Sequence, residues 1–383
     1  MNNENKKENI KSCWLYFFSY SSLGVLCPLI GQYLSSIGFS GTQVGIITSL
    51  GTAMSVVSGI FWGKIYANAS KQRWVIGGLF FGAAFFAIAG LATRDFYVYA
   101  LIYSCVYFFQ GPVHGFCDNL VIAGNENFPV IRSLGAVGYA VAVFAAGKYA
   151  EKSGLDKIFY MYAIAFIIAA IIILRKREPK SRENKERKVK IREVLKNRRY
   201  MQLLVCSFFV LGTNVGNSTY FGYLYREGGG TVAGIGLAFL LMAGSEAPFM
   251  FIIPYLRRKF SSQKLLLFSM VVCVLRFAFY GTGPTWQMLL FTFFLQGMSN
   301  GILLVEIVRY FGMIVEPELS DIAVSTYYAM GNSLSVIICS LIGGVLLDVV
   351  GAKGIYLFFA AWNSVAVALY ISMGLHKQVA QNE

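Results

Sequence analysis

The chain has 383 residues and a mass of 42.4 kDa, with 56% hydrophobic residues, only 14% charged residues, a mean hydropathy of +0.59 and a formal net charge of +14. A soluble domain carries about 25% charge, so a soluble enzyme with one membrane anchor is excluded and most of the chain reads as membrane. The positive charge does not point to nucleic acid: between Arg175 and Arg199, thirteen Lys/Arg stand against four Glu and supply nine of the fourteen charges, as a cytoplasmic loop does.

In chain order, the polar start Met1–Ile10 leads into an apolar run at 12–37, too long for the core of a cleaved signal, so a first span that stays is expected. Apolar runs bounded by Gly, Pro and charge follow at 42–66, 73–93, 96–124, 130–152 and 156–175, then, beyond the basic segment, at 199–226, 232–257, 263–281, 285–312, 321–350 and 353–374. Each is long enough to cross a bilayer. The pattern predicts an all-α membrane protein of twelve transmembrane helices in two six-helix bundles: residues 1–175, a basic cytoplasmic linker 176–198, and residues 199–383. With residue 1 inside, twenty-six of the 33 basic residues fall on the inner side, which places both termini of a multi-pass protein in the cytoplasm of a cell bounded by this membrane. The seven cysteines lie singly in or beside apolar spans, without CxxC spacing; neither disulfides nor metal is expected. No P-loop, GxSxG, HExxH or DxDxDG motif occurs, so no cofactor and no enzymatic activity are expected.

The halves repeat one another. Gln110-Gly-x-x-x-Gly115 in span 4 matches Gln296-Gly-x-x-x-Gly301 in span 10, and Gly135 and Gly147 match Gly331 and Gly343. Parallel repeats of this kind build a solute site between two bundles near the bilayer midplane.

Ionisable groups inside apolar spans cost a few kcal/mol and mark function by default. In span 4, Gln110, His114 and Asp118 recur every four residues on one helical face; they read either as substrate or proton ligands or as a structural pair between helices. Arg132, opening span 5, is within reach of Asp118 or Glu126, or extends to the cytoplasmic interface. Glu246 of span 8 and Arg276 of span 9 each lie several residues inside their helices, where mutual neutralisation is the cheapest arrangement, as a proton-coupling device or as a fixed pair. Glu306 and Arg309 are three residues apart and are expected to pair with each other or with nearby loops. Weaker polar stripes are Tyr16 and Tyr20, Asn214 and Asn217, Gln296 and Asn300, and Tyr328 and Asn332, which suit helix–helix hydrogen bonds as well as a ligand.

At these residues the chain resembles the lactose-permease-like branch of the major facilitator superfamily, which includes oligosaccharide, nucleoside and phenylpropionate proton symporters. The carrying segments are Tyr16-Phe-Phe with Gly24 and Pro28, Gly38-Phe-Ser with Gln43-Val-Gly45, Arg132-Ser-Leu-Gly135-Ala-Val-Gly138-Tyr139, Glu246-Ala-Pro-Phe-Met-Phe251 and Leu275-Arg276-Phe277. The resemblance implies the major facilitator fold, a substrate or coupling role for Arg132, a stacking ring at Tyr139, and proton coupling at Glu246 and Arg276. The chain departs from the superfamily in carrying Ala67 where the loop 2–3 signature has Asp, and Ser299 near the position of the span 10 histidine.

The expectation is secondary active transport of a small organic solute, a sugar, nucleoside or aromatic acid, by proton symport and alternating access. A monomer in the lipid bilayer with no nucleic-acid partner is expected; drug–proton antiport and a non-transporting sensor are the alternatives. Substrate contacts are expected at Tyr20, Gln110, His114, Asp118, Arg132, Tyr139, Asn214, Asn217, Gln296, Asn300 and Tyr328, and proton coupling at Glu246, Arg276 and Asp118.

Overall fold

A computed structural model describes residues 3–178, 191–316 and 319–377, and among them every regular element is helical. The helices are α1 (Asn3–Leu26), α2 (Ile30–Ser36), α3 (Gly41–Asn68), α4 (Gln72–Ala89), α5 (Phe96–Gln110), α6 (Val113–Ala123), α7 (Phe128–Ser153), α8 (Lys157–Leu174), α9 (Ile191–Lys196), α10 (Arg198–Glu227), α11 (Val232–Leu256), α12 (Ser262–Gly281), α13 (Trp286–Ile314), α14 (Ser320–Ala329) and α15 (Val336–Ser372). Local chemistry sets their starts. Ser40 and Gln43 form a capping box on α3, and the side chains of Asp95, Asn197 and Ser261 accept the first free N–H groups of α5, α10 and α12, each cap contributing about 1 kcal/mol. Breaks fall where the sequence forces them: Pro28 lies between α1 and α2, Gly111-Pro112 separates α5 from α6, and Gly351, at φ 77°, interrupts α15. Between α14 and α15 the chain makes a wide π-helical turn, Met330–Ser335.

Among the described residues nine helices are long and apolar enough to cross a membrane, or ten if the bent pair Lys7–Leu26 and Ile30–Ser36 is one span. Phe85, Leu101, Phe251 and Phe291 are exposed; such a surface would be a liability in water and is what lipid covers.

The chain packs as two units, Met1–Lys185 with Thr231–Leu240, and Glu186–Gly230 with Leu241–Glu383. Residues 231–240, the first turns of α11, thus pack with the first unit, where Gly236 lies against the α7 backbone and Glu151 accepts the Ala233 N–H at 2.6 Å. In the first unit α1 packs most extensively on α7. Glycine permits this approach: a Cβ on Gly138 would lie 2.2 Å from the Phe17 carbonyl oxygen, and one on Gly24 would lie 2.4 Å from that of Tyr139.

Two pairs of the repeated glycines make matching contacts inside their own units. A Cβ on Gly111 would meet Ser55 and Ser58 of α3, and one on Gly297 would meet Ser245 and Met242 of α11. Gly135 faces Tyr20 of α1, and Gly331 faces Leu211 of α10. Gly147 and Gly343 do not match in this way, the first lying on Val232 and Gly236 and the second on the Tyr220 ring.

Candidate functional site

In the first unit, α1, α6 and α7 bring together Tyr16, Tyr20, His114, Asp118 and Arg132. The Tyr16 hydroxyl donates to the Asp118 carboxylate, which is 3.7 Å from Arg132 Nη1. The Arg132 guanidinium lies over the Tyr20 ring, 4.7 Å from its centroid, and the Tyr20 ring is 4.4 Å from that of His114. The spacing explains the grouping: Tyr16 and Tyr20, like His114 and Asp118, are four residues apart and so share a helix face. Arg132 and Asp118 keep side-chain exposures of 48% and 28%. A cation and an acid are therefore accessible in one place beside the half-buried Tyr20 ring, while His114 Nε2 is buried without a hydrogen-bond partner. Such a group can hold a polyhydroxylated ring by charge-assisted hydrogen bonds and by stacking.

Gln110 is not part of this group. The break at Gly111-Pro112 ends the helix face that the four-residue spacing assumes, and Gln110 instead accepts a 2.5 Å hydrogen bond from the buried Tyr162 hydroxyl of α8. Glu126 is also not the partner of Arg132; it pairs with Lys176. Tyr139 is half-buried on α7, and its backbone carbonyl sits at the α1 crossing.

The second unit holds a different arrangement. Arg276 of α12 donates from Nη1 to Gln296 Oε1 and from Nη2 to Asn214 Oδ1 at 3.0 Å, with the Phe277 ring centroid 4.4 Å away. Asn217 also donates to Gln296 Oε1, at 2.8 Å, and accepts from Tyr356 at 2.8 Å. This network ties α10, α12, α13 and α15 together. Asn217, Gln296 and Arg276 are 0%, 1% and 3% exposed, so in this conformation they bond to one another and are closed to a solute.

The pairing expected between Glu246 and Arg276 is absent. Arg276 is held by neutral amide oxygens, its Nε is buried without a partner, and no ion pair among the described residues reaches Glu246. Glu246 is half-buried on α11, its backbone pressed on α13 where Gly297 and Gly301 leave room. Position inside a span implies desolvation but not which of several partners supplies relief, and here the amides of α10 and α13 lie closer. Glu306 takes the second of its expected alternatives, a partner in a nearby loop. It is fully buried on α13 and takes a 2.7 Å hydrogen bond from Arg257 Nε at the end of α11, not from Arg309. Asn300 is half-buried on α13 and Tyr328 is exposed on α14 against Tyr327; the Asn332 side chain lies outside the described residues. No set of His, Cys, Asp or Glu among the described residues could hold a metal ion.

Sequence reasoning placed Tyr16 in a polar stripe with Tyr20 but not among the expected solute contacts. Its four-residue spacing to Tyr20 was the available signal, but the hydroxyl's aim at Asp118 depends on how α1 crosses α6. The Arg257–Glu306 pair, 49 residues apart, left no local signal.

A model of the MFS_1 like family matches residues 10–358. The maltose permease of Geobacillus stearothermophilus is 29% identical over 374 residues, covering 96% of this chain and 95% of the permease. The putative nucleoside transporter YegT of Escherichia coli (strain K12) is 23% identical over 320 residues, covering 76% of this chain and 73% of its own length. Among solved structures, the nucleoside transporter NupG superposes with a TM-score of 0.85 at 16% identity, over 98% of this chain and 99% of that one. At that identity the likeness concerns the fold.

Proposed function

The chain belongs to the MFS_1-like family of the major facilitator superfamily, a family of membrane transporters and not of enzymes, and from that premise we propose that it imports a sugar or a nucleoside by proton symport. The observation that carries this reading is the accessible Asp118–Arg132 pair with Tyr20 and His114 around it. A carboxylate and a guanidinium side by side offer acceptors and donors to adjacent hydroxyls, and a ring face suits the apolar side of a sugar or a base. Relatives named for maltose and nucleoside transport agree with that chemistry.

Glu246 supplies the coupling proton site. A carboxylate inside a span, with no cation on it among the described residues, is neutralised most cheaply by a proton. Arg276 then acts as a fixed charge within the second unit. Twelve crossings are reached if the bent pair α1–α2 crosses once, Ile322–Ser372 crosses twice about Gly351 and α10 crosses once; with the basic residues inside, both termini are then cytoplasmic. Alternating access about a midplane site follows from the parallel repeat.

Purified protein in proteoliposomes tests this reading, with tritiated maltose and tritiated uridine as probes and an imposed pH gradient as the driving force. Accumulation of either probe that collapses on adding a protonophore is the expected result. Uptake indifferent to the pH gradient removes the proton, and uptake of neither probe removes the solute class.

A further inference from the structure

A second charged cluster lies outside the candidate site, at the end of the first unit where α8 stops. The Lys176 side chain is only 2% exposed, between the exposed Arg175 and Arg177. Its ammonium pairs with Glu126, in the turn between α6 and α7, and at 3.8 Å with Glu8 of α1. The backbone around it is held as firmly. Arg73, at the start of α4, donates from Nη1 to the Lys176 carbonyl at 2.8 Å and from its N–H to Glu178 at 3.0 Å. The Arg177 N–H donates to Glu8 at 3.1 Å, Lys11 Nζ donates to the Arg175 carbonyl at 3.0 Å, and the Asn127 N–H donates to Asn9 at 3.0 Å.

The three elements drawn to this one ammonium are those that carry the candidate cluster. Glu8 lies eight residues before Tyr16 on α1, about 12 Å along a helix. Glu126 lies eight residues after Asp118 and six before Arg132. Glu8 also keeps a 2.6 Å ion pair with Lys11 on its own helix, so removing Lys176 strips the buried Glu126 of its cation and cuts the tie between α1 and the α6–α7 turn.

We propose that Lys176 is a positioning residue for the Tyr16–Asp118–Arg132 cluster, holding α1 against the α6–α7 turn so that both tyrosines stay on the acid–guanidinium pair. This rests on the reading of that cluster as the solute site. Lys176 touches none of the cluster's residues; it acts through Glu8 and Glu126.

The full chain tests it as wild type, Lys176→Arg, Lys176→Met, and the triple variant Lys176→Met/Glu8→Gln/Glu126→Gln. Uptake of tritiated maltose or uridine gives KM and Vmax, and hydrogen–deuterium exchange of the detergent-solubilised protein reports local opening. Lys176→Met should raise KM about tenfold with Vmax per folded molecule within about twofold, because the binding groups are misplaced and not lost. Exchange should quicken in segments 9–24 and 113–135 alone. Lys176→Arg should return KM close to wild type by restoring the cation, and the triple variant should recover most of it, since no buried carboxylate is then left uncompensated. A normal KM in Lys176→Met, or a triple variant as impaired as the single one, overturns the proposal. If wild type takes up neither probe, the solute reading has failed on its own, and the exchange data decide: unchanged or uniformly faster exchange rejects Lys176 as the residue that holds these helices.

Discussion

The α1–α7 crossing makes Gly138→Ala the most exacting test of the site geometry. The added Cβ would sit 2.2 Å from the Phe17 carbonyl oxygen and 2.9 Å from the Phe17 carbonyl carbon and Cα. Ordinary contact begins at 3.4 Å, so the shortfall, 3.4 less 2.2, is about 1.2 Å, and every obstructing atom is backbone, which no rotamer change can move. The helices must therefore separate. Overpacking of this kind costs about 1–3 kcal/mol, and the 3.1 Å hydrogen bond from Ser21 Oγ to the Gly138 carbonyl weakens as well, adding about 1 kcal/mol. Tyr16 and Tyr20 flank Phe17 on α1, so the same displacement draws the hydroxyl from Asp118 and the ring from Arg132. A shift of about 1 Å at a binding group is enough to cost up to a hundredfold. Gly138→Ala should lower the thermal midpoint in detergent and raise the KM for uptake, whereas Gly78→Ala on α4, with open space where its Cβ would go, should do neither. Equal midpoints and equal KM in the two variants would refute the reasoning.

Glu246→Gln should keep solute exchange and lose accumulation against a gradient, because an amide imitates the protonated acid and cannot cycle; loss of both in counterflow assays would make Glu246 a solute contact. Arg276→Met should cost about 1–3 kcal/mol for its lost hydrogen bonds, and combined with Glu246→Gln it should be additive within about 0.5 kcal/mol. A larger coupling in an SDS-unfolding cycle would mean that the two residues do meet in another conformation. Asp118→Asn and Arg132→Lys should each weaken solute binding by calorimetry, the second because an ammonium offers neither the fork nor the flat face that lies on Tyr20; unchanged affinity would make the pair structural. Gln110→Leu should lower stability by leaving the Tyr162 hydroxyl unpaired and leave KM unchanged, and a raised KM would return Gln110 to the site.

What the sequence discloses about this protein follows from the range of the interaction concerned. Hydropathy and helical spacing are local, and they placed the apolar helices, the His114–Asp118 face and the Tyr16–Tyr20 face. The repeated Gln-Gly-x-x-x-Gly is local too, and its first glycines, Gly111 and Gly297, have one physical cause, a serine-bearing helix packed close in each unit, whereas Gly115 has open space beside it. Partner choice is not local. Arg276 could have met Glu246, but it met Gln296 and Asn214, because a guanidinium buried among four helices takes whichever oxygens the packing delivers. Gln110 shows the converse failure: its spacing to His114 was right for a straight helix, but Pro112 has no N–H to donate, and the helix that spacing requires stops there. Lys176 was hidden by its company, as one of thirteen basic residues in a single stretch.

The wide turn at Met330–Ser335 gives the second unit a property that straight helices lack. A π turn holds one residue more than the α-helical pitch accommodates, and that surplus behaves like a dislocation in a crystal: it can glide along the helix but cannot disappear while both ends stay pinned. Each step exchanges one i→i+5 bond for one i→i+4 bond, so the ladder is never open by more than a single rung. As the dislocation passes, the residues it crosses rotate by about 100° and trade faces. Here Gly331 lies within the turn and Tyr327 and Tyr328 just before it, so glide toward α14 would re-aim two aromatic rings with no change in helix length and no unwinding.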